Sequence, residues 1–301
     1  MSVVIVNPSS AGGSTGEAWP QIASDLRSHF GSFRAVFTKH RGDAAALASE
    51  AARKGAKFII ACGGDGTISE VANGILSSGK DAELGILPSG TGGDFRRTLE
   101  IPSRTRDAAR ILRTGRSARI DVGRVSYSDH NGNDATRYFV GVASCGMSTK
   151  VIERVKTDEV SFVSALLKTA MRNEPVRLLV QLDDSHERHL VVSNLCIANA
   201  RYFGGGMKIA PDAKLTDGKL DIVSIGDLSA MKIFTSAPRV YTGSHLSMPE
   251  VSHALARKIT VRASDRNVEV ALEVDGELPG KLPATFQIVP EALRVRVNLS
   301  V

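Results

Sequence analysis

The run CGGDGTIS, Cys62 to Ser69, places three glycines, a carboxylate and a hydroxyl between an apolar stretch and a segment whose apolar residues return at helical spacing. Such punctuation reads as strand, tight turn and helix. Glycines at that junction let backbone N–H groups close on an anion, and the helix dipole favours negative charge there. Phosphate is the anion this turn suits. The plainer reading is that Gly63, Gly64 and Gly66 only make the turn, with Thr67 capping the helix. Asp65 fits the plainer reading poorly, because a carboxylate facing phosphates is repulsive unless a cation or a proton acceptor is needed there.

Neighbouring phosphate-loop patterns do not fit. GELPGK, Gly276 to Lys281, is one residue short of a Walker loop and lacks its Ser or Thr. In GTGGDF and GDGTIS, Phe95 and Ser69 stand where a dinucleotide fingerprint needs its third glycine. No GxSxG elbow or His-Asp metal cluster points to hydrolysis.

The elements that must hold this turn follow from the texture of the chain. At 301 residues and 42% hydrophobic, the chain has the length for two domains and the apolar content for real cores. SVVIV, FRAVF, KFIIACGG and LGILPSG read as strands alternating with helices at EAWPQIASDLRSHF, at DAAALASEAARKG, from Thr67 and near Gly92. That alternation predicts a parallel sheet covered on both faces, with ligands at the carboxyl ends of its strands. After about Val125 the runs RYFVGVAS, VRLLVQLDD, HLVVSNLCIANARYF, KLDIVSIGD, KITVRAS, VEVALEVDGE and LRVRVNLSV are strand-like, and only 158–172 and 228–243 look helical. The expected fold is α/β plus mainly β: an amino-terminal Rossmann-like parallel α/β domain over 1–125 and a carboxyl-terminal antiparallel β-sandwich domain over 126–301. In 158–172, Val160, Val163, Leu167 and Met171 form a stripe beside Lys168 and Arg172, suited to burial against the sandwich or to contact with a membrane.

A net charge of +6 and a pI near 9.3 suit a protein that meets anions. With aromatic residues at 5% and no basic run interleaved with them, nucleic acid is excluded as a partner. Cys62, Cys145 and Cys196 are scattered, which implies a reducing compartment and no structural zinc. VVIV before Asn7 is too short for a signal peptide or a span, so a soluble cytoplasmic protein, peripheral to the membrane, is expected.

GGDGT at 63–67, NPSSAGG at 7–13, LPSGTGGDFRR at 87–97, APDAKLTDGKLDI at 210–222 and VDGELPGKLPA at 274–284 together resemble the diacylglycerol kinase catalytic family, which includes bacterial lipid kinases and sphingosine kinases. GGDGT alone is shared with NAD kinases and phosphofructokinases; its combination with GTGGDF and a late DGE is far more specific. The resemblance implies a two-domain lipid kinase with ATP in the interdomain cleft, and a chain end that returns to the first domain. By motif, Asn7, Pro8, Ser9, Ser10, Ala11 and Thr38 line the nucleotide, Gly63, Gly64, Asp65, Gly66, Thr67, Ile68 and Ser69 surround its phosphates, and Thr91 lies beside them. Glu277 matches the residue assigned as proton acceptor in bacterial members and Asp65 the one favoured in sphingosine kinases. Asp217, with main-chain oxygens of Lys214 and Lys219, matches a family Mg2+ site, although TDG also reads as an ordinary turn. Ala11, Gly93 and Thr216 depart from residues common in the family, which bears on nucleotide fit and on any mechanism needing a further aspartate.

The implied reaction is transfer of the γ-phosphoryl group of ATP to a hydroxyl of diacylglycerol or a related lipid, with an anionic membrane surface as the place of encounter. The alternatives are a soluble-substrate kinase such as an NAD kinase, against which VDGELPGKLP argues, and a lipid-binding or regulatory protein that kept the fold without turnover. Arg96 and Arg97 suit a phosphate clamp or a solvated surface, and His245 is assigned no role. Homodimerisation through the β half is left open.

Overall fold

The β-branched runs of the first third form strands in a computed structural model of the chain, which describes residues 2–157, 165, 168–169 and 174–298. The chain divides into two units, Met1–Val122 with Pro290–Val301, and Gly123–Val289.

The first unit runs β1 (Ser2–Val6), α1 (Ser14–His29), β2 (Arg34–Phe37), α2 (Asp43–Arg53), β3 (Phe58–Gly63), α3 (Asp65–Ser77), β4 (Glu83–Pro88), α4 (Asp94–Thr98) and α5 (Thr105–Thr114), and takes in the end of the last strand, β14 (Glu277–Val297). Its strands lie parallel in the order β2-β1-β3-β4-β14. Val4, Ile5, Ile59, Ile60, Leu84 and Ile86 are buried, as expected of a parallel sheet covered on both sides. Each such side chain contributes roughly 1.5–3 kcal/mol by leaving water.

Right-handed crossovers put α1 on one face and α2 and α3 on the other. The packing agrees, with α2 against α3 and α1 against α5. Gly74 makes the α2–α3 contact close: a Cβ there would lie 2.2 Å from the Ala45 carbonyl oxygen. The chain leaves β1 toward one edge and β3 toward the other, so the switch in winding direction falls between these two neighbours. Ligand crevices of open α/β sheets form outside the strand carboxyl ends at that switch.

The second unit contains β5 (Arg116–Asp129, entering from the first unit), β6 (Asp134–Phe139), β7 (Val142–Gly146), α6 (Met147–Thr157), β8 (Val176–Leu182), β9 (Arg188–Ala198), β10 (Leu220–Gly226), α7 (Ala230–Thr242), β11 (Val251–Ala256), β12 (Lys258–Ala263), β13 (Ala271–Val274) and most of β14. Its pairings are antiparallel. β9, β8, β12, β14, β13 and β7 pair in turn and return to β9, while β11 pairs only β10 and β6 only β5. Phe139 and Phe286 meet edge to face inside it, 6.3 Å between ring centroids.

Several elements differ from the sequence expectation. RYFVGVAS is two strands, because the Asp275 carboxylate takes the N–H groups of Val140 and Gly141 and turns the chain there. Helix α6 and strand β11 were not anticipated, and α3 begins at Asp65, not Thr67. The stripe of Val160, Val163, Leu167 and Met171 lies outside the described residues. Among the described residues no helix is long and apolar enough to cross a membrane.

Arg296 fastens the final strand into the first unit. It donates to both oxygens of Glu83 at 2.6 and 3.0 Å and to the Leu112 carbonyl at 2.9 Å, and its guanidinium lies 4.8 Å from the Phe58 ring centroid. The Glu83 side chain is 8% exposed, so removing its partner leaves a buried charge alone. Arg296→Ala is expected to cost about 3 kcal/mol in urea unfolding, and replacing both residues by leucine to recover most of that loss.

Candidate functional site

Three loops meet at the carboxyl ends of β1, β3 and β4. The first, after β1, is held by Asn7, whose N–H donates to Cys62 O at 3.0 Å and whose Nδ2 donates to Thr67 Oγ1 at 3.0 Å. Asn7 Oδ1 accepts the Ser9 N–H, and Gly16 N–H donates to Pro8 O, so the loop is tied to α1. Ser10 lies against the second loop, where a Cβ on Gly63 would come within 3.0 Å of Ser10 Oγ and 2.5 Å of Thr67 Oγ1. Thr38 N–H donates to Val6 O at 2.9 Å, which places it at the same end of the sheet.

The second and third loops touch through backbone. A Cβ on Gly90 would lie 2.5 Å from Gly64 Cα, so glycine is needed for the approach. Ser89 N–H donates to Gly63 O at 3.0 Å. Asp65 completes the join: Oδ2 accepts from Gly93 N at 2.7 Å and Asp94 N at 3.1 Å, and Oδ1 accepts from Phe95 N at 3.1 Å. The carboxylate that seemed to demand a cation or a proton-accepting role therefore caps α4 across a chain separation of almost thirty residues.

Two further expectations change. Thr67 is no cap; it lies inside α3, buried, and receives Asn7. Ile68 has a buried side chain and gives its N–H to Gly64 O, which leaves it nothing with which to hold a nucleotide. The N–H groups of Asp65, Gly66 and Thr67 begin α3 and have no acceptor within the helix. Above Gly66 a Cβ would meet nothing within 4 Å, so this end of α3 is open. An anion there would gain both those donors and the helix dipole. Thr91 is exposed in the third loop, and Ser69 is buried in α3.

The family departures have a conformational reading. Gly93 has φ +75°, a left-handed geometry that asparagine also tolerates. Ala11 adopts φ 53°, so it keeps a glycine-like conformation at a cost of about 1–2 kcal/mol. Arg97 donates to Gly92 O at 2.7 Å and Asp94 at 3.0 Å, and Arg96 to Ile101 O at 3.2 Å; both brace the third loop. Burial, and then the neighbouring charge of Arg97, pull the Arg96 guanidinium below its ordinary pKa.

In the second unit, Glu277 opens β14 after the two-residue turn Asp275-Gly276, with φ 49° and 81°. Those values match the turn type that joins tight hairpins. Asp275 accepts from Val140 N at 3.1 Å and Gly141 N at 2.9 Å, while Glu273 accepts from Gly276 N at 2.6 Å and from the Ser144 hydroxyl. Glu277 is thus presented by a turn held on both sides. Sequence reasoning missed Glu273 and Asp275, since a buried carboxylate serving backbone looks the same in sequence as a catalytic one.

The turn at Lys214, Asp217 and Lys219 is exposed, with Asp217 Oδ1 accepting the Lys219 N–H at 3.0 Å. Among the described residues no three His, Cys, Asp or Glu side chains gather as a metal site. One carboxylate with main-chain carbonyls still suits a hard cation, and Asp217 keeps an oxygen beyond its turn bond. Asp221 nearby is buried and bonded to His253 Nε2 at 2.8 Å; burial raises its pKa, His253 opposes that, and Asp217 and Asp212 add to it.

The second unit also holds an open apolar pocket of about 780 Å³ counted to its mouth. Met207, Ile209, Ile225, Val240, Met248 and Val251 are among the apolar residues of its wall. Ser148 and Asn194 line it too, but bond each other at 2.9 Å, so the lining offers little unmet polarity. His245 is packed there, with Nε2 donating to Ile209 O at 3.0 Å. Burial lowers its pKa, and the Ile209 and Arg239 carbonyls partly oppose the shift. The three cysteines are buried thiols, with Cys62 and Cys145 each pushed up to about 12, chiefly by burial.

Known proteins match both units. The profile of the diacylglycerol kinase catalytic domain covers residues 1–125, and that of the YegS C-terminal NAD kinase beta sandwich-like domain covers 141–297. A diacylglycerol kinase of Mycobacterium tuberculosis is 32% identical over 85% of this chain and 86% of its own. One of Staphylococcus saprophyticus is 30% identical over 97% and 93%. The chain belongs to the diacylglycerol kinase family. The crystal structure of a diacylglycerol kinase from Bacillus anthracis str. Sterne superposes with a TM-score of 0.74 at 23% identity, covering all of this chain and 97% of that one, which shows the shared two-domain fold with a β-rich second domain.

Asp65→Asn replaces one accepting oxygen by a donor that faces other donors. Amide exchange at Gly93, Asp94 and Phe95 should accelerate, with a loss of about 1–3 kcal/mol in local stability. Unchanged exchange at those three amides would contradict the capping role.

Proposed function

We propose that this protein is a lipid kinase that transfers the γ-phosphoryl group of ATP to a hydroxyl of diacylglycerol or a closely related lipid. What carries the reading is that the segments characteristic of the family, GGDGT, GTGGDF and DGE, each hold a defined backbone geometry: an open helix start, a loop clamped beside it, and a braced carboxylate-bearing turn. The parallel unit is read as Rossmann-like and nucleotide-binding, and the β-rich unit as the sandwich that takes the lipid, its apolar pocket suiting an acyl chain.

ATP, when bound, would supply the phosphoryl group, and Mg2+ would neutralise charge on it. The N–H groups of Asp65, Gly66 and Thr67 bind phosphate oxygens, while Asn7, Pro8, Ser9, Ser10, Ala11, Thr38 and Thr91 border the nucleotide. Gly63 and Gly64 allow the loops to close, and Asp65 positions them. Ser69 supports the helix from within. Glu277 accepts the proton of the lipid hydroxyl, the main chemical demand that phosphoryl transfer makes on a side chain. Asp217 and the main-chain oxygens of Lys214 and Lys219 would hold Mg2+ in the second unit. Phospholipid biosynthesis, a cytoplasmic location and peripheral contact with an anionic membrane surface follow from this reading. With Asp65 engaged by three N–H donors, Glu277 is the better proton acceptor.

Purified protein incubated with labelled ATP and Mg2+ should label diacylglycerol or a long-chain base and leave NAD unlabelled. Glu277→Gln should lower the rate by about a hundred- to ten-thousand-fold with the circular dichroism spectrum unchanged. Label in NAD alone, or in no acceptor, would refute the lipid kinase reading; full activity in Glu277→Gln would remove that residue from the chemistry.

A further inference from the structure

Helix α7 is apolar on more of its circumference than the protein covers. Ile233, Ser236, Ala237 and Val240 face the apolar pocket. Met231, Phe234 and Tyr241 point elsewhere, with relative exposures of 72%, 59% and 43%. At about 100° per residue, these three fall on one stripe roughly 80° wide, next to the pocket-facing side. No residue of α7 is buried, although its sequence is mostly apolar. Its polar edge carries Lys232 and Arg239 and no acidic residue. Lys232 pairs with Glu250, while the Arg239 side chain forms no ion pair among the described residues.

We propose that α7 is an interfacial helix, whose Met231, Phe234 and Tyr241 stripe enters the surface of an anionic bilayer while its adjoining side walls the lipid pocket. An apolar arc continuous from a pocket wall to open solvent matches a medium that is itself apolar and supplies the pocket's contents. A stripe of bulky side chains flanked by an arginine is the composition of a helix lying in the headgroup boundary, where tyrosine favours the polar level. A second copy of the chain could set its own stripe against this one, but it would give no reason for the stripe's continuity with the pocket. The inference builds on the lipid kinase reading for the identity of what enters the pocket; the membrane contact stands on α7 alone.

The test is co-sedimentation with vesicles of phosphatidylglycerol and phosphatidylcholine, beside vesicles of phosphatidylcholine only. Changing Met231, Phe234 and Tyr241 together to serine should weaken binding by at least about tenfold. Arg239→Gln should weaken binding to the anionic vesicles by roughly fivefold and leave the neutral ones unaffected. The only tryptophan, Trp19, is in the first unit, so Trp19→Phe with Phe234→Trp gives a reporter on α7 whose emission should shift to the blue on anionic vesicles. Vesicle binding unaffected by the serine changes, or no emission shift, overturns the proposal. So does sedimentation velocity showing, without lipid, a dimer that those changes dissociate. Transfer to a dispersed short-chain diacylglycerol is measured alongside. If that transfer occurs but α7 does not govern vesicle binding, this inference fails and the kinase reading stands; if α7 governs binding but no lipid is phosphorylated, the reverse holds.

Discussion

The open end of α3 in the first unit depends on one carboxylate and one glycine. Asp65 takes three backbone N–H groups from the loop after β4, while Gly90 lets that loop approach the main chain at Gly64. Without the carboxylate the N–H groups of Gly93, Asp94 and Phe95 would lose their shared acceptor. A side chain at Gly90 would push the two loops apart. The open N–H groups at the start of α3 take their direction from the helix that Asp65 begins.

The second unit solves a similar problem with the same chemistry. Asp275 and Glu273 spend their oxygens on main-chain N–H groups and on the Ser144 hydroxyl, so the tight turn that precedes Glu277 has little freedom left. Preorganisation of this kind matters where a proton must be received at a fixed place, because a misplaced base loses rate steeply. Three acidic residues near the family motifs, Asp65, Glu273 and Asp275, thus act on backbone N–H groups.

Much of the first unit could be read directly from residue order. Its apolar runs are short, unbroken and closed by glycine turns, since strands buried on both faces tolerate no polar interruption. The second unit was legible as strands but not in its pairing. RYFVGVAS looked like one strand because the turn inside it is imposed by Asp275, more than a hundred residues away. Helix α6, MSTKVIERVKT, carries β-branched and hydroxyl residues whose local preference for helix is weak, so packing had to decide it. The pocket left no motif, because its wall is assembled from ordinary apolar residues of α6, β10, α7 and β11.

Residue types and spacing alone determined the family, the strand-turn-helix around GGDGT and the need for glycine there, because these rest on local backbone geometry and on a handful of ordered motifs. Tertiary structure decided what the carboxylates do. Whether an aspartate receives a proton or caps a helix depends on which N–H groups lie within three ångströms of it, and those come from distant parts of the chain. It also decided which side of α7 is covered, since exposure is set by what packs against a helix and not by the helix's own sequence.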